Sequence, residues 1–284
     1  MTLVVFGAGG QVGRELATLA TARGLAVRAR ARSEVDITDA AAVAEAVRGA
    51  DFVANCAAYT AVDKAEAERD QAFAVNATAP GVIARACAEA GAALVHISTD
   101  YVFPGDGDRP WREDDPIAPL SVYGESKAAG EAAVRAALPR HIILRTSWVF
   151  AAHGSNFVRT MLRLGAERPE LRIVADQRGG PTAAADIAAA ILAVRDRALA
   201  PGFSDWGTFH YSGAPATTWY EFAAAIFAAQ GGGGPKLHPI ATSDYPTPAR
   251  RPANSVMDCG RIARVFGVAQ PDWRQSLAAM LRTQ

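Results

Sequence analysis

LVVFGAGGQVG, from Leu3 to Gly13, is the stretch that decides the fold. A short apolar run meets Gly7, Gly10 and Gly13, spaced G-x-x-G-x-x-G, and helix-like periodicity follows from Gln11 to about Arg23. Strand, glycine turn and helix in that order open a βαβ unit. Gly7 permits the tight turn, Gly10 lets backbone amides approach a phosphate, and Gly13 lets the helix pack close to the strand. Gln11 and Val12 lie in the same turn, where free N–H groups and the helix dipole favour an anion. The commoner spacing G-x-G-x-x-G does not fit, because Val12 stands where its third glycine belongs. A glycine-rich loop alone says little. Its place directly after a first strand makes it a candidate dinucleotide site.

The rest of the first half repeats the pattern. AVRAR, DFVANCA, ALVHIS and HIILRTSWVF are short runs rich in valine, isoleucine and alanine. Between them lie helical stretches: TDAAAVAEAVRG with Thr38 or Asp39 as its cap, a long helix from Arg69 to Ala90 closed by Gly91, and a helix through Tyr123. Strands this apolar suit a parallel sheet covered on both faces, and right-handed crossovers then give an α/β, doubly wound, Rossmann-like sheet. After about residue 150 the rhythm loosens. NFVRTMLRL, PTAAADIAAAILAVRDRA and TTWYEFAAAIFAAQ read as helices, the last capped by Thr217 or Thr218, while LRIVAD and TFHYS read as extended. GGGG (Gly231–Gly234) reads as a loop tip, and YPTPARRPANS as irregular chain. The expected division is a dinucleotide-binding domain over 1–150, with elements from roughly 170–200 returning to it. Residues 151–284 then form mainly a smaller α/β substrate lobe.

Composition closes several doors. The 284 residues carry 29 basic and 29 acidic side chains, so no charge imbalance points to nucleic acid or an anionic membrane. Cys56, Cys87 and Cys259 are an odd number and far apart, which reads as reduced thiols in a cytoplasmic protein. The apolar runs are too short to span a bilayer, and the N-terminus reads as a strand with no signal segment. The histidines, His153 among them, show no metal-ligand spacing, so no catalytic metal is expected.

The end of the second strand bears on the ribose. An NAD site usually offers an acid there, whereas this chain offers Arg28, Arg30 and Arg32, which alternation would place on one face. Guanidinium groups suit a 2′-phosphate, so NADPH is the expected cofactor, with NADH the alternative. Asp36 and Ile37 follow and could contact adenine or ribose. Ala58, Tyr59 and Thr60 leave the third strand at the edge where ligands of open α/β sheets sit. Asn76 is expected to brace a neighbouring strand through its amide. The fourth strand ends in Ser98, Thr99 and Asp100, hydroxyls and a carboxyl at that same edge. In SVYGESKAAGE, Ser121 to Glu131, Tyr123 and Lys127 stand about one helical turn apart and share a face. Local sequence leaves two readings of that pair open: a solvent helix, or an acid with its cation.

Taken together, STDYVF, Y-x-x-x-K on the following helix and the G-x-x-G-x-x-G opening resemble the extended short-chain dehydrogenase/reductase family, in its nucleotide-sugar branch. AAYTAVDKAE, RTSWVF and YPTPARRPANS carry the resemblance over nearly the whole chain. It implies hydride reduction of a 4-ketone on a dTDP-linked deoxysugar. Tyr123 would be the proton donor and Lys127 its cation and a holder of the nicotinamide ribose, with Thr99 on the carbonyl and Asp100 beside it. It also implies Trp148 against the sugar; Arg250 and Arg251, in the Pro-rich loop, read either as a clamp on the substrate's diphosphate or as a solvated charge pair. A tyrosinate at neutral pH lies about three units below its usual range, worth roughly 4 kcal/mol, and an ammonium about 4 Å away supplies roughly as much. Epimerases and dehydratases share the glycine loop and the Tyr/Lys pair; a non-catalytic NADP-binding subunit, such as that of methionine adenosyltransferase, keeps the fold, and the intact Thr99, Tyr123 and Lys127 set argues against it. STDYV holds one acid, Asp100, where a dehydratase is expected to hold a pair. Whether the chain forms a homodimer is left open.

Overall fold

The computed structural model describes residues 1–231 and 234–282. Gly232 and Gly233, inside the run read as a loop tip, lie outside the described residues. Six strands form one parallel sheet: β1 (Thr2–Phe6), β2 (Ala26–Arg30), β3 (Phe52–Asn55), β4 (Ala93–Thr99), β5 (His141–Thr146) and β6 (Gly207–His210). Their order, β6-β5-β4-β3-β1-β2, reverses direction between β1 and β3. The crevice at such a reversal, outside the strands' carboxyl ends, is where doubly wound sheets hold ligands.

Continuous burial explains the strands. Leu3–Phe6, Phe52–Asn55 and His141–Thr146 are buried without a break, as strands covered on both faces must be. One face packs against helices α1 (Gln11–Ala22) and Ala184–Ala198 through Leu16, Ile187 and Ile191. The other packs against α2 (Ala40–Val47), α3 (Ala79–Ala90) and α4 (Val122–Ala137) through Val43, Ile83 and Val134. α2 is capped by Asp39, which accepts from the Ala41 and Ala42 amides, and α3 ends on left-handed Gly91.

Arg69 to Ala90 is not one regular helix. A π turn over Ala74–Thr78 separates Arg69–Phe73 from α3. Pro80 has no N–H to return to the Asn76 carbonyl, so the regular ladder cannot run through it. The Asn76 side chain is occupied elsewhere: it accepts from the Tyr59 amide at 2.8 Å and donates to the Tyr59 carbonyl and Ser126 Oγ, each at 3.0 Å. It braces the segment leaving β3, not a strand.

The second half builds its own core from Phe150, Met161, Ile173, Phe222, Ile226 and Trp273. Helices α5 (Phe157–Glu167) and Trp219–Ala229 supply most of it, the latter started by a Thr218/Glu221 capping box. Strand Glu170–Val174 pairs in parallel with Lys236–Ile240 in this half. Helix Ala184–Ala198 and β6 lie with the first half instead.

Candidate active site

The glycine loop sits at the sheet reversal. Gly13 must be glycine, because a Cβ there would lie 2.2 Å from the Gly7 carbonyl oxygen. Gly10 is different. A Cβ there would lie 3.3 Å from the Gly7 carbonyl oxygen, close but not a clash, and Gly10 is exposed, so the helix start is left uncovered. Val12 is buried in the core, whereas Gln11 reaches the second half: Asn156 Nδ2 donates to Gln11 Oε1 at 2.8 Å. Asn156 also caps α5, accepting from the Arg159 amide.

The arginines do not share a strand face. β2 ends at Arg30, and Arg32 is exposed in the turn beyond, so alternation stops before reaching it. Arg28 donates to the Arg48 carbonyl at 2.8 Å. Arg30 is half-buried at the strand end, next to the glycine turn that pairs with its carbonyl. Asp36 is held by the Thr38 amide and hydroxyl, which lower its carboxyl. The Ile37 side chain is buried in the core with Phe6 and Val53, so any ligand contact must come from its backbone. Of the residues leaving β3, Ala58 is half-buried, Thr60 is exposed, and the Tyr59 hydroxyl is committed to Glu68 at 2.5 Å.

The end of β4 and the start of α4 form the polar corner. Ser121 caps α4 through the Gly124 amide, which fixes Tyr123 in its first turn. The Tyr123 hydroxyl pairs with Thr99, and its ring meets Tyr101 edge to face, centroids 5.6 Å apart. Thr99 Oγ1 donates to Asp100 Oδ1 at 2.9 Å and accepts from the Tyr101 amide at 3.2 Å. Lys127, 2% exposed, gives its ammonium to the Ile97 carbonyl at 2.6 Å. Behind it lies Glu131, held by both ends of the Arg145 guanidinium at 2.8 Å and by Ser98 Oγ at 2.6 Å.

Burial sets the protonation states. It pushes the Tyr123 phenol up to about 12, with Asp100 adding to the rise and Thr99 opposing it. It pulls Lys127 down to about 8 against the opposing charge of Glu131, and lifts Asp100 to about 6 against the Ser255 and Thr99 hydroxyls. The expectation that Lys127 stabilises the tyrosinate left after proton donation concerns a later state than this resting one. Desolvation of the phenol wins, and the ammonium is spent on a backbone carbonyl. Tyr123 rests as a protonated acid, the form a proton donor requires.

Two substrate-side expectations change in detail. Arg251 is not a free clamp: its guanidinium donates to Asp63 Oδ1 at 3.1 Å and Oδ2 at 2.8 Å, and to the Ala249 carbonyl. Arg250 is exposed beside it. Trp148 follows β5 with φ of 46° and stacks on Trp219, centroids 3.5 Å apart and planes 8° from parallel, so one face of its indole is already covered. Asp63, Asn156, Glu131 and Trp219 were not singled out from sequence as site residues. Asn156 had a local signal, as an N-cap residue before an amphipathic run. Glu131 had its place one turn beyond Lys127. Among the described residues no cluster of His, Cys, Asp and Glu could hold a metal, and no helix is long and apolar enough to cross a membrane.

A parallel doubly wound sheet, a glycine loop at its reversal, and Thr, Tyr and Lys converging at the next strand end define a nicotinamide-dependent oxidoreductase of the short-chain dehydrogenase/reductase type. Comparison with known proteins narrows this. The RmlD substrate binding domain family matches residues 1–284. The dTDP-4-dehydrorhamnose reductase of Escherichia coli K12 is 44% identical, over 99% of this chain and 97% of its own. A dTDP-4-dehydrorhamnose reductase crystal structure from Clostridium acetobutylicum superposes with a TM-score of 0.94 at 37% identity, over 100% and 99% of the two chains. One from Bacillus anthracis, solved in complex with NADP, gives 0.93 at 36%, over 100% and 99%. The chain belongs to the dTDP-4-dehydrorhamnose reductase family.

Proposed function

We propose that this chain reduces the 4-keto group of dTDP-4-dehydro-L-rhamnose to give dTDP-L-rhamnose, a donor for surface polysaccharide, with NADPH as reductant and NADH the alternative. The observation that carries the reading is the convergence of Thr99 and Asp100 at the end of β4 with half-buried Tyr123 and buried Lys127 on α4, at the sheet edge beside the glycine loop. The residues present fit the cofactor: an uncovered helix start at Gly10 for the pyrophosphate, and Arg30 and Arg32 at the end of β2 for a 2′-phosphate. The nicotinamide, when bound, supplies the hydride. Thr99 and Tyr123 donate hydrogen bonds to the sugar carbonyl oxygen, and Tyr123 Oη gives up its proton as that oxygen becomes an alkoxide. Lys127, on the same helix face, stabilises the phenolate left behind and holds the ribose. In the free protein the Thr99 hydrogen goes to Asp100 Oδ1; it turns from Asp100 to the sugar oxygen when the substrate binds. Trp148 borders the sugar from the second half, and Arg251, released from Asp63, meets the diphosphate. The balanced charge gives no footprint for nucleic acid, and the three free thiols suit the cytoplasm.

Consumption of NADPH with dTDP-, UDP- and GDP-linked 4-keto sugars tests the reading. The dTDP compound should be preferred, and no turnover with any of them rejects it. Replacing Arg30 and Arg32 by alanine should weaken NADPH binding about tenfold, the weight of one rim-exposed charge-assisted hydrogen bond, and leave NADH binding unchanged. Equal wild-type affinity for the two cofactors would remove the arginines from the site.

A further inference from the structure

We propose that Gly179 and Trp219 are positioning residues that clamp the Trp148 indole so that only its edge meets the sugar. This rests on the reading that Trp148 borders the substrate. Trp219 overlies one face of the ring at 3.5 Å, nearly parallel. Gly179 closes the other: a Cβ there would stand 2.5 Å from Cε2, 2.7 Å from Nε1 and 2.8 Å from Cζ2 of Trp148. Distances so nearly equal along three consecutive ring atoms place Gly179 over the face and not at the rim. Both jaws come from one ladder. Arg178–Gly179 pairs antiparallel with Thr217–Thr218, so Gly179 stands opposite Thr217, two residues before Trp219.

The run Gln177–Thr182 fixes the remaining freedoms. Gln177 Oε1 accepts from Trp219 Nε1 at 3.2 Å and stops that ring from sliding. The Thr182 amide donates to the Trp148 carbonyl at 3.2 Å, holding the backbone at a φ of 46° that side-chain-bearing residues seldom adopt. What is left to a ligand is the indole edge. That edge carries the positive side of the ring quadrupole. It includes Nε1–H, which finds no acceptor among the described residues. Such an edge matches hydroxyl and ring oxygens of a sugar, not the C–H face that usually stacks on indole.

The test uses the full-length enzyme with the dTDP-linked keto sugar. Trp148→Ala, Trp219→Ala and Gly179→Ala should each raise KM about tenfold, with kcat and the NADPH dissociation constant unchanged, because a misplaced ring loses uniform binding only. Trp219→Phe should restore most of the loss. The two alanine substitutions at the tryptophans should be non-additive: once Trp148 is gone, removing Trp219 should cost nothing further. The stacked indoles should also give an exciton couplet in circular dichroism, lost equally in either single variant. Should Trp219→Ala fail to fold, Gly179→Ala still decides, since the atoms it would meet first belong to the Trp148 ring. If Trp148→Ala leaves KM unchanged, the placement of Trp148 at the sugar falls. If Trp148→Ala acts but Gly179→Ala is silent, or Trp219→Ala costs as much without Trp148 as with it, the clamp is wrong and that placement stands.

Discussion

The corner around Tyr123, at the end of β4, and the wall around Trp148, just beyond the end of neighbouring β5, are built from opposite materials. The corner is polar and dry. Lys127, Glu131, Arg145, Ser98, Thr99 and Asp100 are all buried, and each is held by hydrogen bonds to another polar group. The wall is aromatic, made of Trp148, Trp219 and Phe157 around one residue held at positive φ. A buried charge responds to protons and to the loss of its partner. A stacked ring responds to volume and angle. On the proposed reading chemistry and recognition are in separate hands, and substitutions should separate kcat from KM along the same line.

The sharpest division comes from Tyr123→Phe. It should lower kcat by about 10²–10⁴-fold, the usual weight of a positioned proton donor, while titration shows the NADPH dissociation constant unchanged. A phenylalanine enzyme with wild-type turnover would empty the corner of its chemistry.

Asp100→Asn probes the same corner through stability. Burial lifts the Asp100 carboxyl from 3.8 to about 6, so the unfolded chain releases this proton before the folded one does. Between those values the folded state binds more protons, and the contribution to stability falls as pH rises from about 4 to 6, then stays flat. Asparagine removes the charge, so at pH 7 the variant should be more stable in urea by up to roughly 3 kcal/mol, the equivalent of about two units. At pH 4 the gain should vanish. A gain equal at both pH values would show that the carboxyl does not titrate there. No comparable pH dependence is expected from substitutions in the wall.

The smallest effect lies in the wall's backbone. Trp148→Gly and Trp148→Ala both remove the ring, but only glycine adopts a φ near 46° without strain. The glycine variant should be more stable by about 1 kcal/mol in chemical denaturation. Equal stabilities would mean that the turn relaxes once the indole is gone.

Much of the first half could be read from residues close in sequence. The continuous apolar runs announce a parallel sheet, the spacing of Gly7 and Gly13 announces the turn, and Asp39 and Gly91 mark helix ends by local chemistry, as Thr218 does in the second half. Tyr123 and Lys127 are legible for the same reason, being one turn apart. The substrate side is not. Arg251 meets Asp63 across 188 positions, and Asn156 meets Gln11 across 145. Pairings of that kind leave no period or spacing to detect. The π turn at Ala74–Thr78 escaped notice because the apolar pattern on either side of it is that of a helix. The height of the Tyr123 phenol escaped notice because a spacing argument counts the neighbouring ammonium and not the water that folding removes.

Asn156 carries one consequence for the ageing of the protein. Its Nδ2 donates to three oxygens, Gln11 Oε1 at 2.8 Å, the Ala151 carbonyl at 2.9 Å and the His153 carbonyl at 3.3 Å, while Oδ1 caps α5. Hydrolysis of that amide to a carboxylate, the commonest spontaneous lesion of asparagine, would leave the cap intact, since aspartate caps as well as asparagine. The other oxygen would then face three acceptors with no hydrogen to share. The helix would survive while its side-chain bond to the glycine loop was lost, so a stored sample would keep its fold with α5 less firmly tied to the cofactor turn.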